Sequence, residues 1–509
     1  MYKNLLDFLD YGAGVEKYRN KKWIDDDELS WTFAEFVLYS KIIATNLLGK
    51  VRQGQPVAVL LPNSAWMLAC DFGILRCGCA YMNLDAALPM ARLLPLLRHV
   101  CPTLIIAENS AANFLAEQGF ENVISFPDLI LPVEIEESTL SIIRERSIDT
   151  DPACLITTSG STGVPKAVAL THRGLIDFGT WFDGNFPFSD QDIVGSLSPL
   201  FFDGYFPGLL MSLLHGGQFH IIPRSLASFP IRLAEHLKEK EITFIFWVPS
   251  TLIPLATFDI LRRLELFKLR FIGFAGEVMP ARALAYLRRY LPHAKLVNFY
   301  GPVEISVICT SYVIPDSFSE TEPVPIGYAC TNTDIIILDE NNCPVPADTE
   351  GELCVRGTSL ALGYWNDAER TAKAFVINPV NNAYPEKLYR TGDIVSRDQS
   401  GLIHFIGRND FQVKHQGFRI DLGEIEHIAN TVLKIRNCCV IYHGETQRIL
   451  MAYEADEEIS IKVARHEMSG FLPKYMLPVQ MVVFDKLPLN PNGKIDRSIL
   501  AKEIVKALE

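Results

Sequence analysis

Short apolar runs alternate with longer stretches of helical periodicity through most of this chain. Val57–Leu61 is one such run; it ends at Pro62-Asn63-Ser64, and a helical pattern then continues to about Cys77. Leu104–Ala107, Val123–Phe126, Phe219–Ile222 and Phe244–Trp247 repeat the theme. Runs this short, bounded by turn residues, read as buried strands. Strands alternating with helices imply an α/β architecture with largely parallel sheets. From about Asp334 the texture changes: Ile335–Asp339, Gly351–Val355 and Leu402–Phe405 are strands separated by turns, which suggests a small β subdomain. A boundary comes near Gly407-Arg408-Asn409-Asp410, and the roughly 100 residues beyond it suffice for a small α+β domain. The expected organisation is a large N-terminal domain, residues 1–408, of mixed parallel sheets with helices plus the β subdomain. It is hinged to a small mobile α+β domain, residues 409–509.

Length agrees, because 509 residues exceed what one hydrophobic core usually organises. A hydrophobic content of 49% with 21% charged residues is that of an ordinary globular chain. The net charge of -13 comes with no long basic block, which argues against a nucleic-acid or membrane-surface partner. Most of the eleven cysteines lie inside apolar runs (Cys70, Cys77, Cys79, Cys154, Cys309), and none has metal-knuckle spacing. Reduced, buried thiols in a cytoplasmic protein are the expectation. The N-terminus soon meets Asp7, Asp10 and Glu16 and lacks the regions of a signal peptide. No apolar run reaches the roughly 18 residues a membrane span needs.

Candidate chemistry begins at Thr157-Thr158-Ser159-Gly160-Ser161-Thr162-Gly163-Val164-Pro165-Lys166, between the apolar runs Ala153–Ile156 and Ala167–Leu170. Five hydroxyls, two glycines and a lysine in a loop joining two strands suit a phosphate: backbone N–H groups form a concavity, hydroxyls add donors and Lys166 adds charge. The spacing is not that of a P-loop, and a polar surface turn is the alternative. Asn298-Phe299-Tyr300-Gly301-Pro302-Val303-Glu304 follows an apolar strand start; Tyr300 could stack on a base and Glu304 could hold a divalent cation, or the segment is simply a turn. Tyr389-Arg390-Thr391-Gly392-Asp393 places a carboxylate after what reads as a tight turn, where it could accept two ribose hydroxyls or merely be solvated. Lys494 lies in an Asn/Pro/Gly loop, where a lone lysine usually has no role.

Taken in order, these segments resemble one family. Thr157–Lys166, Asn298–Glu304, Gly351–Tyr364, Tyr389–Asp393, Gly407–Glu426 and Asn490–Arg497 look like the motifs of the adenylate-forming superfamily, which includes acyl-CoA synthetases and luciferases. Leu75–Leu93 and Lys414-His415-Gln416-Gly417-Phe418-Arg419-Ile420-Asp421 also fit. Within the superfamily the chain is most similar to amino-acid adenylation domains of nonribosomal peptide synthesis and to stand-alone amino acid–carrier protein ligases. The resemblance runs from about residue 20 to about residue 500.

The resemblance implies a role for each matching residue. Thr158, Ser159, Gly160, Ser161, Thr162, Gly163 and Lys166 would hold the β- and γ-phosphates of ATP. Tyr300 would stack on adenine, flanked by Phe299 and Gly301, with Asn298 and the backbone near Gly276 and Glu277 reading its edge. Glu304 would bind Mg²⁺, and Asp393, helped by Arg408, the ribose hydroxyls. Lys494 would reach between the substrate carboxylate and the α-phosphate, so that catalysis is by positioning and electrostatics. Asp410 falls at the family's hinge, and rotation there would exchange Lys494 for the Lys414–Gly417 loop when a thiol attacks. Catalytic roles thus fall on Lys494, Glu304 and Lys166.

Two departures concern activity. Val303 stands where the family usually has Thr, removing a hydrogen bond of about 0.5–1.5 kcal/mol, and Ala167 stands where Gly is usual. Leu200–Gly208 matches the family's substrate segment. Asp203 falls where amino-acid-activating members keep the carboxylate that pairs with the substrate ammonium; helix capping is the alternative. Phe202, Gly204, Pro207, Phe246, Gly273, Ala275, Phe299, Val307 and Ile308 would complete a pocket without charge, which suits a small or medium apolar amino acid. The expected reaction is formation of an aminoacyl-adenylate, then transfer to a phosphopantetheinylated carrier protein. Because the sequence stops soon after Lys494, the carrier is expected to come in trans. The alternatives are an acyl-CoA synthetase for a small carboxylic acid and a catalytically silent nucleotide- or carrier-binding chain.

Overall fold

The computed structural model describes residues 2–159, 165–318, 320–408, 411–444, 446–488, 495 and 497–508. The chain falls into two compact units. The first comprises Met1–Ala86, Cys101–Thr157 and Ala167–Asn409. The second comprises Ala87–Val100, Thr158–Lys166 and Asp410–Glu509.

The α/β organisation is the one that the alternation of apolar runs implies. One sheet has six strands in the order Val123–Ser125, Leu104–Ala107, Pro56–Leu60, Ala80–Asn83, Pro152–Thr158, Lys166–Thr171. Its pairings from Val123–Ser125 to Pro152–Thr158 are parallel. Pro56–Leu60 is buried on both faces, which is why it reads as a continuous apolar run rather than an alternating one. A nine-stranded sheet has a parallel centre and antiparallel edges. Its strands Phe244–Trp247, Phe271–Ala275 and Lys295–Tyr300 lie side by side in parallel register. The change of texture near Asp334 marks a five-stranded antiparallel sheet, with Glu350–Gly357 and Lys387–Arg397 at its centre and Thr333–Leu338 at one edge.

In the second unit a three-stranded sheet, Asn437–His443, Arg448–Glu454 and Gln480–Phe484, carries the helices Leu422–Val432 and Ile461–Ser469. The hairpin Gln412–His415/Phe418–Asp421 turns through Gln416 and Gly417, both at positive φ (51° and 80°), the geometry of a two-residue primed turn. Asp421 then caps the helix Leu422–Val432 by accepting from Gly423 N at 2.9 Å. Arg92 on the helix Met90–Val100 makes a buried ion pair with Glu424 at 2.5 Å.

Two sequence expectations need correction. Thr157, Thr158 and Lys166 are strand residues, at the end of Pro152–Thr158 and the start of Lys166–Thr171, so the connecting loop is shorter than the motif; β-branched threonines continue the extended backbone readily. Tyr389–Asp393 is no tight turn. It lies within the eleven-residue strand Lys387–Arg397, where Thr391, Gly392 and Asp393 oppose Leu353 alone, so the motif is a β-bulge. No helix among the described residues is long and apolar enough to cross a membrane. The cysteines form no disulfide; Cys70, Cys77, Cys79, Cys154 and Cys309 are buried, whereas Cys101 and Cys343 are exposed.

Candidate active site

The bulge at Thr391–Asp393 gives the site its first fixed point. Gly392 takes φ 74°, which the two extra residues of the bulge require. The backbone groups that the bulge takes out of the ladder are satisfied by side chains. Thr391 Oγ1 donates to Leu353 O at 2.7 Å and accepts from Asp393 N at 3.0 Å, and Gly392 N donates to Glu352 Oε1 at 3.1 Å. Asp393 is thereby buried, at 3% exposure, and stands directly across the ladder from Arg408. The Arg408 guanidinium donates to Asp393 Oδ1 and, at 3.1 Å, to Thr391 O, while the Tyr300 hydroxyl donates to Asp393 Oδ2. Burial and the adjacent carboxylate hold the Tyr300 phenol well above its ordinary range. A merely solvated turn residue would not be enclosed in this way.

Tyr300 ends the strand Lys295–Tyr300, and the chain beyond it folds tightly back. Val303–Ile305 is a 3₁₀ turn, Ser306 and Val307 take φ 54° and 81°, and Cys309 N returns to Tyr300 O at 2.9 Å. A positive φ at a β-branched valine is a strained conformation that surrounding contacts must impose. Those contacts are visible. Ser306 Oγ donates to Ser359 O at 2.8 Å, Ala361 N donates to Glu304 O at 2.9 Å, and Gly301 packs so closely that a Cβ would lie 2.4 Å from Val307 O. Glu304 is fully buried, and the Tyr364 hydroxyl donates to its Oε1 at 2.8 Å. The departure at Val303 is half-buried and packs against the core.

The pocket candidates lie on the adjoining strands. Phe246 pairs with Gly273, and Ala275 with Phe299. The Phe246 and Phe299 rings stand 5.4 Å apart, and a Cβ on Gly273 would meet Phe246 at 2.7 Å and Phe299 at 3.0 Å, so these three residues converge. Val307 and Ile308 belong to the same buried cluster. The sequence reading missed Trp181, whose ring meets Phe299 edge-on at 6.4 Å. Its signal was the helical spacing of Phe178, Trp181, Phe182 and Phe186.

Asp203, itself half-buried, lies between half-buried Phe202 and Gly204, just ahead of the next helix. That helix, Phe206–His215, begins from Tyr205, which makes no side-chain cap, carries Pro207 in its first turn, and its Phe206 N donates to the backbone carbonyl of Asp203 at 3.1 Å. Two nucleotide candidates have structural partners. Asn298 Nδ2 donates to Pro325 O at 2.7 Å, and Glu277, which follows Gly276 at φ 91°, accepts from Ser250 N at 2.8 Å, capping the helix Pro249–Thr257.

In the second unit Thr158, Ser159 and Lys166 are all buried. Ser159 Oγ donates to the Arg419 carbonyl, and Thr158 Oγ1 has no hydrogen-bond partner among the described residues. Gly160, Ser161, Thr162, Gly163, Asp410 and Lys494 lie outside the described residues.

One further group of potential metal ligands, Asp27, His220 and His236, occurs among the described residues. The two Nε2 atoms are 2.8 Å apart, a hydrogen bond, whereas two nitrogens on one tetrahedral zinc stand roughly 3.3 Å apart. Lys240 already pairs with Asp27, and a structural role accounts for the group.

Residues 13–365 match the model of the family described as AMP-binding enzyme. The chain is 33% identical over 474 residues to gramicidin S synthase 2 of Brevibacillus brevis, covering 92% of this chain and 10% of that protein. It is 31% identical over 462 residues to tyrocidine synthase 1 of Brevibacillus parabrevis, covering 90% and 41% respectively. The chain thus spans from about a tenth to about two-fifths of these relatives' lengths. Its structure superposes with a TM-score of 0.83 at 26% identity on an inhibitor-bound holo NRPS protein containing adenylation and PCP domains, covering 99% of this chain and 84% of that one.

Proposed function

The chain belongs to the AMP-binding enzymes, and from that premise we propose that it activates an amino acid with ATP. The product is an aminoacyl-adenylate, and the aminoacyl group then passes to the phosphopantetheine thiol of a carrier protein. The observation that carries the choice of an amino acid is Asp203. It precedes the helix Phe206–His215, whose cap position is Tyr205. Asp203 is a half-buried carboxylate in the segment that resembles the family's substrate segment, at the position where amino-acid-activating members pair a carboxylate with the substrate's ammonium. Phe246, Phe299 and Gly273, which converge with no charged side chain among them, suit a small or medium apolar side chain.

In the first step an oxygen of the substrate carboxylate attacks the α-phosphorus of ATP. The bond to the β-phosphate breaks, and pyrophosphate leaves with the electron pair. The Tyr300 ring offers its face to adenine, and Asp393, oriented by Arg408, accepts from the ribose hydroxyls. Thr158 brings a hydroxyl with no other partner among the described residues, and Lys166 brings charge; both suit phosphate oxygens. Glu304 fits a hard cation, since it offers carboxylate oxygens and Tyr364 orients it. Mg²⁺ bound there supplies charge neutralisation on the phosphates. Lys494 stabilises the charge that grows as the carboxylate attacks. In the second step the carrier thiolate attacks the acyl carbon and AMP leaves.

The test is substrate-dependent ATP–pyrophosphate exchange across α-, β- and imino acids and simple carboxylic acids. Exchange with an apolar amino acid is expected, abolished in Lys494→Ala and strongly reduced in Asp203→Ala. Exchange confined to acids without an amine overturns the choice of substrate in favour of an acyl-CoA synthetase. Exchange with no acid at all overturns the enzymatic reading.

A further inference from the structure

Behind the segment that carries Asp203 lies a buried polar pair with an unresolved hydrogen-bond balance. Asp71, on the helix Ala65–Arg76, is 1% exposed, and Asn83, at the end of the strand Ala80–Asn83, is equally buried. Asn83 Nδ2 donates to Asp71 Oδ2 at 2.8 Å. The remaining oxygens of both groups, Asp71 Oδ1 and Asn83 Oδ1, are buried with no hydrogen-bond partner among the described residues. Two buried acceptors without a donor, on groups already joined by one hydrogen bond, are expensive. One proton settles both. A carboxylic acid O–H on Asp71 donates to the Asn83 carbonyl while the Asn83 amide donates to the acid carbonyl, closing a paired hydrogen bond.

The surroundings favour that proton. Burial holds the Asp71 carboxyl well above its ordinary range, and only the Asn83 bond opposes it. The titratable groups acting on this pocket are Cys70 on the same helix, Tyr81 beside Asn83, Cys154 on the strand Pro152–Thr158, and Tyr205, with Asp203 acting on the last two. None is a cation that would draw Asp71 into its ionised form.

The pair also has a target. The Asn83 amide donates to Leu200 O at 3.0 Å, and Leu200 N donates to Asn63 Oδ1 at 2.8 Å, so both backbone groups of Leu200 are held by side chains from elsewhere in the unit. Five residues on, the Tyr205 hydroxyl bonds that of Tyr81 at 2.7 Å. The turn bearing Asp203 is therefore pinned at both ends to the strand Ala80–Asn83.

We propose that Asp71 is a neutral carboxylic acid paired with Asn83, and that this pair fixes the Leu200–Tyr205 turn and so holds Asp203 in place for the substrate amine. Asp71 is a positioning residue. The second half of the proposal rests on the reading of Asp203 given above.

Infrared difference spectroscopy of the full chain, wild type minus Asp71→Asn, tests the proton directly. A carboxylic-acid C=O band that shifts in D₂O and persists from about pH 6 to about pH 8, above the ordinary aspartate range, is expected; no such band overturns the neutral acid. Kinetics test the positioning. Asp71→Leu removes the pair and should raise KM for the amino acid tenfold or more, with KM for ATP and kcat within about threefold. Asp71→Asn, which can rebuild an amide–amide pair, should recover most of that loss. Equal changes in both KM values, no change in either, or no recovery by Asn overturns positioning. Should Asp71→Leu not fold, Asn83→Leu in the wild-type background gives the same readout. If no amine-bearing acid supports exchange, the reading of Asp203 falls and positioning with it, while the infrared band still decides the proton.

Discussion

Replacing Asp393 by Asn changes one oxygen to nitrogen and removes one charge at the best-defined point of the site. In the native chain Oδ1 takes the Arg408 guanidinium and Oδ2 the Tyr300 hydroxyl, with the group 3% exposed. The amide takes away the negative charge beside Arg408, whose side chain is 13% exposed and also donates to Thr391 O. Breaking a buried pair from one side costs about 3–5 kcal/mol, and the partial exposure of Arg408 places this case near 3 kcal/mol. Nucleotide binding suffers separately. Hydrogen bonds to a charged acceptor contribute about 1.5–3 kcal/mol and neutral ones about 0.5–1.5 kcal/mol. Two ribose hydroxyls shifted from carboxylate to amide therefore lose about 2–3 kcal/mol together, or roughly 30- to 150-fold in KM for ATP. Urea unfolding and pyrophosphate exchange with ATP varied at saturating amino acid read the two effects, and KM for the amino acid should hold steady. A folded Asp393→Asn protein whose KM for ATP stays within threefold of wild type would refute the ribose assignment. Arg408→Met combined with Asp393→Asn should be less damaging to stability than the sum of the single changes.

The other expectations reach further into the molecule. His172 is buried, accepts from Leu5 N at 3.2 Å, and is pushed down to about 4 by burial. Its folded value lies below the unfolded one, so its neutral form stabilises fully above about pH 6.5 and that stability is lost as the pH falls through about 4; the loss is about 3 kcal/mol. Urea unfolding at several pH values should show that loss in wild type but not in His172→Gln, and parallel curves would contradict it. Gly301→Ala drives a Cβ to 2.4 Å from Val307 O and 2.6 Å from Ile308 Cα, both backbone atoms. It should lower stability by about 1–3 kcal/mol, and an unchanged urea midpoint would count against the tight return of this loop. Val303→Thr restores a hydroxyl worth about 0.5–1.5 kcal/mol and should raise the exchange rate roughly 2- to 10-fold; no gain would mean that the phosphate does not use this position.

The apolar runs made the α/β class legible because a strand buried on both faces must be apolar throughout, and each run is bounded by turn residues. Pro56–Leu60 and Phe244–Trp247 are such cases. Tyr300, Glu304 and Asp393 could be singled out by residue type and order, and the fold buries all three. The bulge at Thr391–Asp393 was not legible, because a Thr-Gly-Asp step reads as a turn until its partner Leu353, far upstream, is known to face it. For the same reason the Asp71–Asn83 pair could not be found: twelve residues separate them on different elements, and only packing makes them a unit. Trp181 shares the helical spacing of its core aromatic neighbours, and only the fold brings its ring to Phe299.

The central claim is that the chain cleaves ATP between the α- and β-phosphates and joins AMP to an amino acid. Mass spectrometry of a single-turnover reaction with ATP, Mg²⁺ and the amino acid that supports exchange tests it most directly. The account predicts an aminoacyl-adenylate formed in equal amount with pyrophosphate, and absent in Lys494→Ala. ADP and phosphate as products, with no acyl-adenylate, would contradict it.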